Sequence, residues 1–255
     1  MDGLERLVRN AERLVQEGYY ETPGSTRRSP SFMECLWKAE LPSRVIAEIK
    51  FASPSMRPRR APDGFDGLLG SLVAARPLGL SVLSEPRIFG GDLEFVRRAA
   101  GTGLPVLMKD IVVDPVQIDA AAASGASAIL LIQALDAKGW LARPMQSLAD
   151  AAHDHDLDVV IEVHTAEEWD AATETDADIL GINNRDLATM AVDLETTPRL
   201  LGSREKDRPV IAMSGVERRE QVGAFLAAGA DAVLVGTSIM TDPDPRRKLE
   251  ELHHG

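Results

Sequence analysis

Six side chains in this 255-residue chain stand where charge and amides are costly, in or beside apolar runs. Glu48 and Lys50 end the run 45–49, Lys109 ends 105–109, Glu162 interrupts 158–163, and Asn183 and Arg185 follow 178–182. Lys and Glu seldom enter a core unpaired. In an extended chain side chains two apart share a face, so Glu48 and Lys50 point the same way. Two lysines with two glutamates can hold a carboxylate and pass protons in both directions. Structural ion pairs are the competing explanation. Polar groups at the ends of most of the apolar runs favour a catalytic cavity.

A second group suits an anion. Ser214-Gly215 and Gly236-Thr237-Ser238 follow the runs 209–213 and 231–235. Glycine allows close backbone approach, and N–H groups with hydroxyls can surround phosphate oxygens. Ser53-Pro54-Ser55 offers further hydroxyls after the first run, and Ser84 and Glu85 follow 79–83.

The elements that must position these groups repeat. Eight strand-like runs (45–49, 79–83, 105–109, 127–132, 158–163, 178–182, 209–213 and 231–235) start about 20 to 34 residues apart. Between them lie stretches rich in Ala, Leu, Glu and Gln, which form helices well. Continuous apolar runs imply strands buried on both faces of a parallel sheet. The expected fold is α/β, a (β/α)8 TIM barrel over about 42–245, with residues 1–40 as an N-terminal helical extension and 1–255 as one domain. Leu4, Leu7, Val8, Leu14 and Val15 give that extension a helical stripe, followed by a turn-rich stretch at 22–31. A doubly wound open sheet is the alternative, but the chain has no GxGxxG. AASGASAILLI (122–132) echoes LAAGADAVLVG (226–236), one helix–turn–strand unit used twice.

Composition narrows the partners. With 40 acidic and 28 basic residues the net charge is −12, which disfavours nucleic acid and anionic membranes. A small anionic ligand remains open, because a few local cations outweigh a distant shell. Hydrophobic residues make up 44%, enough for a substantial core, and one cysteine, Cys35, excludes an internal disulfide. Cys35 reads as an incidental thiol, and His153-x-His155 as a solvated helix end rather than a metal site. His253 and His254 read as a polar tail, and Trp37, Trp140 and Trp169 as packing residues. No apolar run approaches the roughly 20 residues that span a bilayer, and the charged start lacks a signal core, so a cytoplasmic protein is expected.

Taken together, VIAEIKFASPS (45–55), LSVLSEPRIFGG (80–91), PVLMKDIVVDPVQID (105–119), VIEVHTAEE (160–168), GINNRDL (181–187) and SGVERREQVGAFLAAGADAVLVGTSIM (214–240) resemble the indole-3-glycerol phosphate synthase family over about residues 42–245. The resemblance implies a barrel with an N-terminal extension, no metal and no organic cofactor. The implied activity is ring closure of 1-(2-carboxyphenylamino)-1-deoxyribulose 5-phosphate, a small anionic sugar phosphate, in tryptophan biosynthesis. It implies that Lys109 is the general acid, Glu162 the carboxylate of the later proton steps, and Lys50 the contact for the substrate carboxylate. Glu48 orients Lys50, while Asn183 and Arg185 orient substrate. Ser53, Gly215, Gly236 and Thr237 take the phosphate, with Ser214 on the same face, and Glu85, Ile111 and Met213 complete the substrate surface. A monomer or weak homo-oligomer, with partners among tryptophan-pathway enzymes, fits the family.

Six positions depart from the family pattern. Met213 stands where a glutamate is usual, and Ile111 where a phenylalanine is usual. Phe51 replaces a basic residue, Ile88 a tyrosine, and Met56-Arg57 a Lys-Gly pair. Loss of a proton-handling carboxylate costs about 10²–10⁴ in rate. Besides the standard activity, these changes leave two alternatives: a divergent sugar-phosphate barrel enzyme with a modified aryl substrate, and a weakly active or inactive binding relative.

Overall fold

The computed structural model describes residues 3–22, 24, 28–37, 43–53 and 61–253. In chain order the elements are α1 (Gly3–Gln16), α2 (Phe32–Leu36), β1 (Val45–Ile49), α3 (Phe65–Ala74), β2 (Gly79–Leu83), α4 (Leu93–Ala100), β3 (Val106–Lys109), α5 (Pro115–Ala123) and β4 (Ala128–Ile132). They continue with α6 (Gln133–Ala137), α7 (Met145–Asp154), β5 (Asp158–Val163), α8 (Ala166–Thr173), β6 (Ile179–Asn183), α9 (Thr196–Ser203), β7 (Val210–Met213), α10 (Arg219–Ala227), β8 (Ala232–Val235), α11 (Thr237–Thr241) and α12 (Pro245–Leu252). The eight strands close a parallel barrel in chain order, with β1 meeting β8 through Ile46–Leu234 and Ala47–Val235. The chain is thus a (β/α)8 barrel carrying an N-terminal helix, and each strand lies within about one residue of its apolar run.

Side-chain alternation explains why these runs are apolar throughout. One set, including Ile46, Leu107, Leu130, Val160, Ile211 and Leu234, packs together in the barrel interior. The other, including Ala47, Val82, Met108, Ile161, Leu180 and Val233, meets the surrounding helices. The interior set climbs in steps of two to Glu48, Lys109, Glu162 and Asn183 at the strands' C-terminal ends. The echoed segments are alike here too: Gly125 and Gly229 both turn with positive φ, 81° and 109°, before β4 and β8.

Caps start the helices close behind the strands. Asp114 and Gln117 form a capping box on α5, as Thr165 and Glu168 do on α8. Gln117, fully buried, also donates to Ile111 O (2.9 Å) and accepts from Val113 N (2.8 Å), so it holds the turn that follows Lys109.

The N-terminal extension reaches both ends of the barrel. α1 buries Leu4, Leu7, Val8, Ala11 and Leu14 and lies across the C-terminal ends. Gly3 N donates to Ala188 O (3.3 Å), Asn10 to Glu85 (2.8 Å), Tyr19 to Ser84 O (2.8 Å) and Tyr20 to Asp110 (3.0 Å). α2 sits at the opposite end, where Ser31 Oγ and Met33 N both bind the Asp158 carboxylate, at 2.8 and 3.0 Å.

Among the peripheral expectations, those for Trp37 and His253 need correction. Trp169 is a packing residue, 2% exposed, but Trp37 is 69% exposed and packs little. Trp140 carries the Lys138 ammonium 4.9 Å from its ring centre. His253 is no free tail: it is half-buried, and burial lowers its pKa. His254 lies outside the described residues, as do Pro54, Ser55, Met56 and Arg57. His153 and His155 pair with Asp178 and Asp119, and no metal-holding cluster occurs among the described residues. Cys35, the chain's single cysteine, is buried. No helix among the described residues is long and apolar enough to cross a membrane.

Candidate active site

The C-terminal ends of the strands enclose a cavity of about 470 Å³, within the range of small-molecule sites. Glu48 is its electrostatic centre. One carboxylate oxygen lies 2.5 Å from Lys50 Nζ and the other 2.8 Å from Lys109 Nζ, with the Glu48 side chain 3% exposed. Burial alone would raise the Glu48 pKa, but attraction to Lys109 and then Lys50 overrides it and holds the group at about 2. Burial pulls the Lys109 pKa down, but Glu48 and Glu162 more than offset this, leaving it above the ordinary lysine value.

Glu162 lies on the opposite wall. Asn183 Nδ2 donates to it (2.8 Å), and the Asn183 amide oxygen accepts from Arg185 N (2.9 Å). Burial raises the Glu162 pKa against the pull of Lys109 and Asn183. The cavity therefore holds one carboxylate locked in its charged form and another readier to take a proton. Asn184 faces elsewhere: it donates to Met213 O (3.0 Å) and accepts from Thr197, tying the ends of β6 and β7 to α9. His164 also turns aside, with Nδ1 2.7 Å from Asn183 O.

The hydroxyl and glycine residues gather at one side. Ser53, Ser214, Gly215, Gly236, Thr237 and Ser238 all line the cavity. Ser214 and Gly215 have positive φ, 70° and 84°, and successive backbone N–H groups in such turns favour anions. A side chain at 215 would meet Leu194 at 2.6 Å and Val192 at 2.7 Å. Conformation and space both require glycine there. Arg185 lines the cavity while its Nη1 donates to Met190 O (3.0 Å), bracing the 184–194 loop.

Apolar residues form the remaining wall: Leu7 from α1, Phe89, Ile111, Leu130, Ile132 and Leu187. Sequence periodicity marked Leu7 as apolar but could not say which surface it meets. Asp110 also lines the cavity, although strand alternation sets it on the other face from Lys109 and so gives no signal for it. It accepts from Ser84 Oγ (2.5 Å), Tyr20 OH (3.0 Å) and Ile111 N (2.7 Å), and burial pushes it up to about 6.

Two expected site residues lie elsewhere. Glu85 does not border the cavity: its carboxylate accepts from Arg87, Ile88 and Phe89 N–H groups and from Asn10, so it shapes the β2–α4 turn and anchors α1. Met213 does not border it either. Its side chain is 1% exposed and packs in the barrel interior, where its methyl fills the space a side chain at Gly181 would need. Phe51 is likewise buried, against Phe95 with ring centres 5.6 Å apart. Ile88 is not among the cavity residues, whereas its neighbour Phe89 is.

Comparison with known proteins agrees with this geometry. Residues 5–252 match the family model described as indole-3-glycerol phosphate synthase. Curated relatives of that name include one from Methanopyrus kandleri, 40% identical over 82% of this chain and 82% of its own. Those from Methanocaldococcus jannaschii and Koribacter versatilis are each 36% identical, over 96% and 99% of this chain and 90% and 96% of theirs. Among solved structures, 3-hexulose-6-phosphate synthase from Salmonella typhimurium superposes with a TM-score of 0.63 at 16% identity, covering 82% of this chain and 96% of that one. At that identity the likeness speaks for the barrel alone.

Proposed function

The chain belongs to the indole-3-glycerol phosphate synthase family, and from that premise we propose that its barrel mouth closes an indole ring. The substrate is 1-(2-carboxyphenylamino)-1-deoxyribulose 5-phosphate, and the products are indole-3-glycerol phosphate, carbon dioxide and water. The observation that carries this reading is the single carboxylate of Glu48 spanning Lys50 and Lys109, with Glu162 and Asn183 across the same cavity.

The chemistry assigns each group a task. The ring carbon bearing the carboxylate attacks the ribulose ketone, a carbon–carbon bond forms, and the carbonyl electron pair moves to oxygen. Lys109, kept cationic by its carboxylate neighbours, protonates that oxygen. Lys50 holds the carboxylate until it leaves as carbon dioxide, whose bonding pair returns to the ring. Loss of the new hydroxyl as water needs a second proton delivered to it and a base near the amine. Glu162 handles these later steps, which suits a carboxyl whose pKa burial has raised. Asn183 sets the Glu162 orientation, and Arg185 adds positive potential toward the doubly anionic substrate. Ser53, Ser214, Gly215, Gly236 and Thr237 receive the phosphate, while Leu7, Phe89 and Ile111 receive the aryl ring. No step draws on a metal or organic cofactor. The same reading places the enzyme in the cytoplasm as a monomer or weak homo-oligomer, with tryptophan-pathway enzymes as its partners.

The location of Met213 bears on the altered-substrate alternative. Its thioether stays below the cavity, so the replaced glutamate leaves Glu48, Lys50, Lys109 and Glu162 together at the mouth. Mixing purified protein with the substrate should release carbon dioxide and develop indole fluorescence, and Lys109→Ala should reduce turnover by at least about 10²-fold. No product at high enzyme concentration would overturn the reading.

A further inference from the structure

Glu48 spends both carboxylate oxygens on two different lysines, 2.5 Å from Lys50 and 2.8 Å from Lys109, while 3% exposed. A flexible side chain holds such a bridge only if its surroundings leave one place for it. Strand pairing supplies the neighbour that decides this. Ala47 is in register with Val235, so Gly236, the residue that follows β8, abuts Glu48. A methyl group on Gly236 would overlap Glu48 Oε1 and approach Cδ to 3.0 Å and Cβ to 3.1 Å. The carboxylate tip would have to leave its place between the lysines, and Cδ and Cβ would each have to give by a few tenths of an ångström.

The Gly236 φ is −124°, outside the left-handed region that demands glycine, so space rather than conformation explains the residue. We infer that Gly236 is a positioning residue: by lacking a side chain it leaves the slot in which Glu48 spans Lys50 and Lys109. This duty is separate from any contact between the Gly236 backbone and phosphate. Its consequence for turnover rests on the function proposed above, while the steric relation does not.

A double-mutant cycle tests the inference. Gly236→Ala should lower kcat by about 10²-fold, the scale of a misplacement near 1 Å at reacting groups, with a smaller change in KM. In a Glu48→Ala background there is room for the methyl group, so adding Gly236→Ala should change kcat by less than about twofold. A phosphate role alone predicts the opposite: a raised KM, equal in both backgrounds, and that result would overturn the inference.

A readout independent of activity is the rate at which Lys109 is acetylated at pH 8, followed by peptide mass spectrometry. Displacing Glu48 removes a group that keeps Lys109 protonated, so Gly236→Ala should speed labelling in the native protein and not in Glu48→Ala. Unchanged labelling in Gly236→Ala would also overturn the inference. If Gly236→Ala fails to fold, recovery of folding in Glu48→Ala/Gly236→Ala supports the steric conflict, and failure of both variants refutes it. Absence of turnover in the unaltered protein would sink the proposed function and leave the labelling test standing.

Discussion

Two lysines sharing one glutamate fixes the charge of the cavity before any ligand enters. Lys109 stays cationic at neutral pH because Glu48 and Glu162 more than offset its burial, and Glu48 stays anionic because both lysines hold it there. Glu162 lacks such a direct pairing, and its pKa rises. The acidic limb of the kcat/KM profile should therefore lie above the ordinary glutamate value. Glu162→Gln should abolish that limb along with most of the rate, and a profile unchanged in shape would remove Glu162 from the proton steps. Met213 calls for the reverse expectation. As a buried residue of the barrel interior it should tolerate Met213→Leu with turnover within about twofold and a stability change below about 1.5 kcal/mol. Assay and thermal melting check both; a large loss of rate with an unchanged melting point would place the sulfur in the reaction.

At the scale of elements, α1 serves as both wall and brace. Its apolar stripe is what any amphipathic helix shows, and nothing in that stripe reveals that Leu7 borders the cavity. The bracing comes from Asn10 of α1, which donates to Glu85, and from the turn after it, where Tyr19 donates to Ser84 O and Tyr20 to Asp110; these contacts reach the β2–α4 and β3–α5 turns. Tyr20→Phe removes a buried hydroxyl from a shared network, so it should cost about 1–2 kcal/mol of stability, read from denaturant unfolding. Leu7→Asp should act on binding as well as stability. A charge in the apolar wall should raise KM by about tenfold or more, and because Leu7 is itself buried it should also lower the unfolding midpoint. An unchanged KM would detach α1 from the substrate.

For the whole molecule, two buried carboxyls shape stability in opposite directions. Glu48 has its folded pKa lowered to about 2 from 4.5, so its contribution is present above pH 4.5 and is lost as pH falls toward 2. Asp110 has its pKa raised from 3.8 to about 6, so the folded state takes up its proton first and gains stability as pH falls from above 6 to below 4. Each swing is worth about 3 kcal/mol. Melting temperature should thus rise on mild acidification and fall again in strong acid, and Asp110→Asn should flatten the rise alone. The net charge of −12 belongs to the same scale, since the shell is acidic while Lys50, Lys109 and Arg185 line one cavity. The sequence by itself determined the eight strands, their closure into a barrel and the mouth that gathers Glu48, Lys50, Lys109, Glu162 and Asn183. Strand periodicity and the high cost of burying charge are local properties written residue by residue. Tertiary structure alone decided that Met213 turns into the barrel interior, that Glu85 spends its carboxylate on a turn, that α1 crosses the mouth, and that Gly236 makes room for Glu48. Each of these depends on which strands and loops become neighbours across long stretches of chain, and strand register, not residue type, sets those distances.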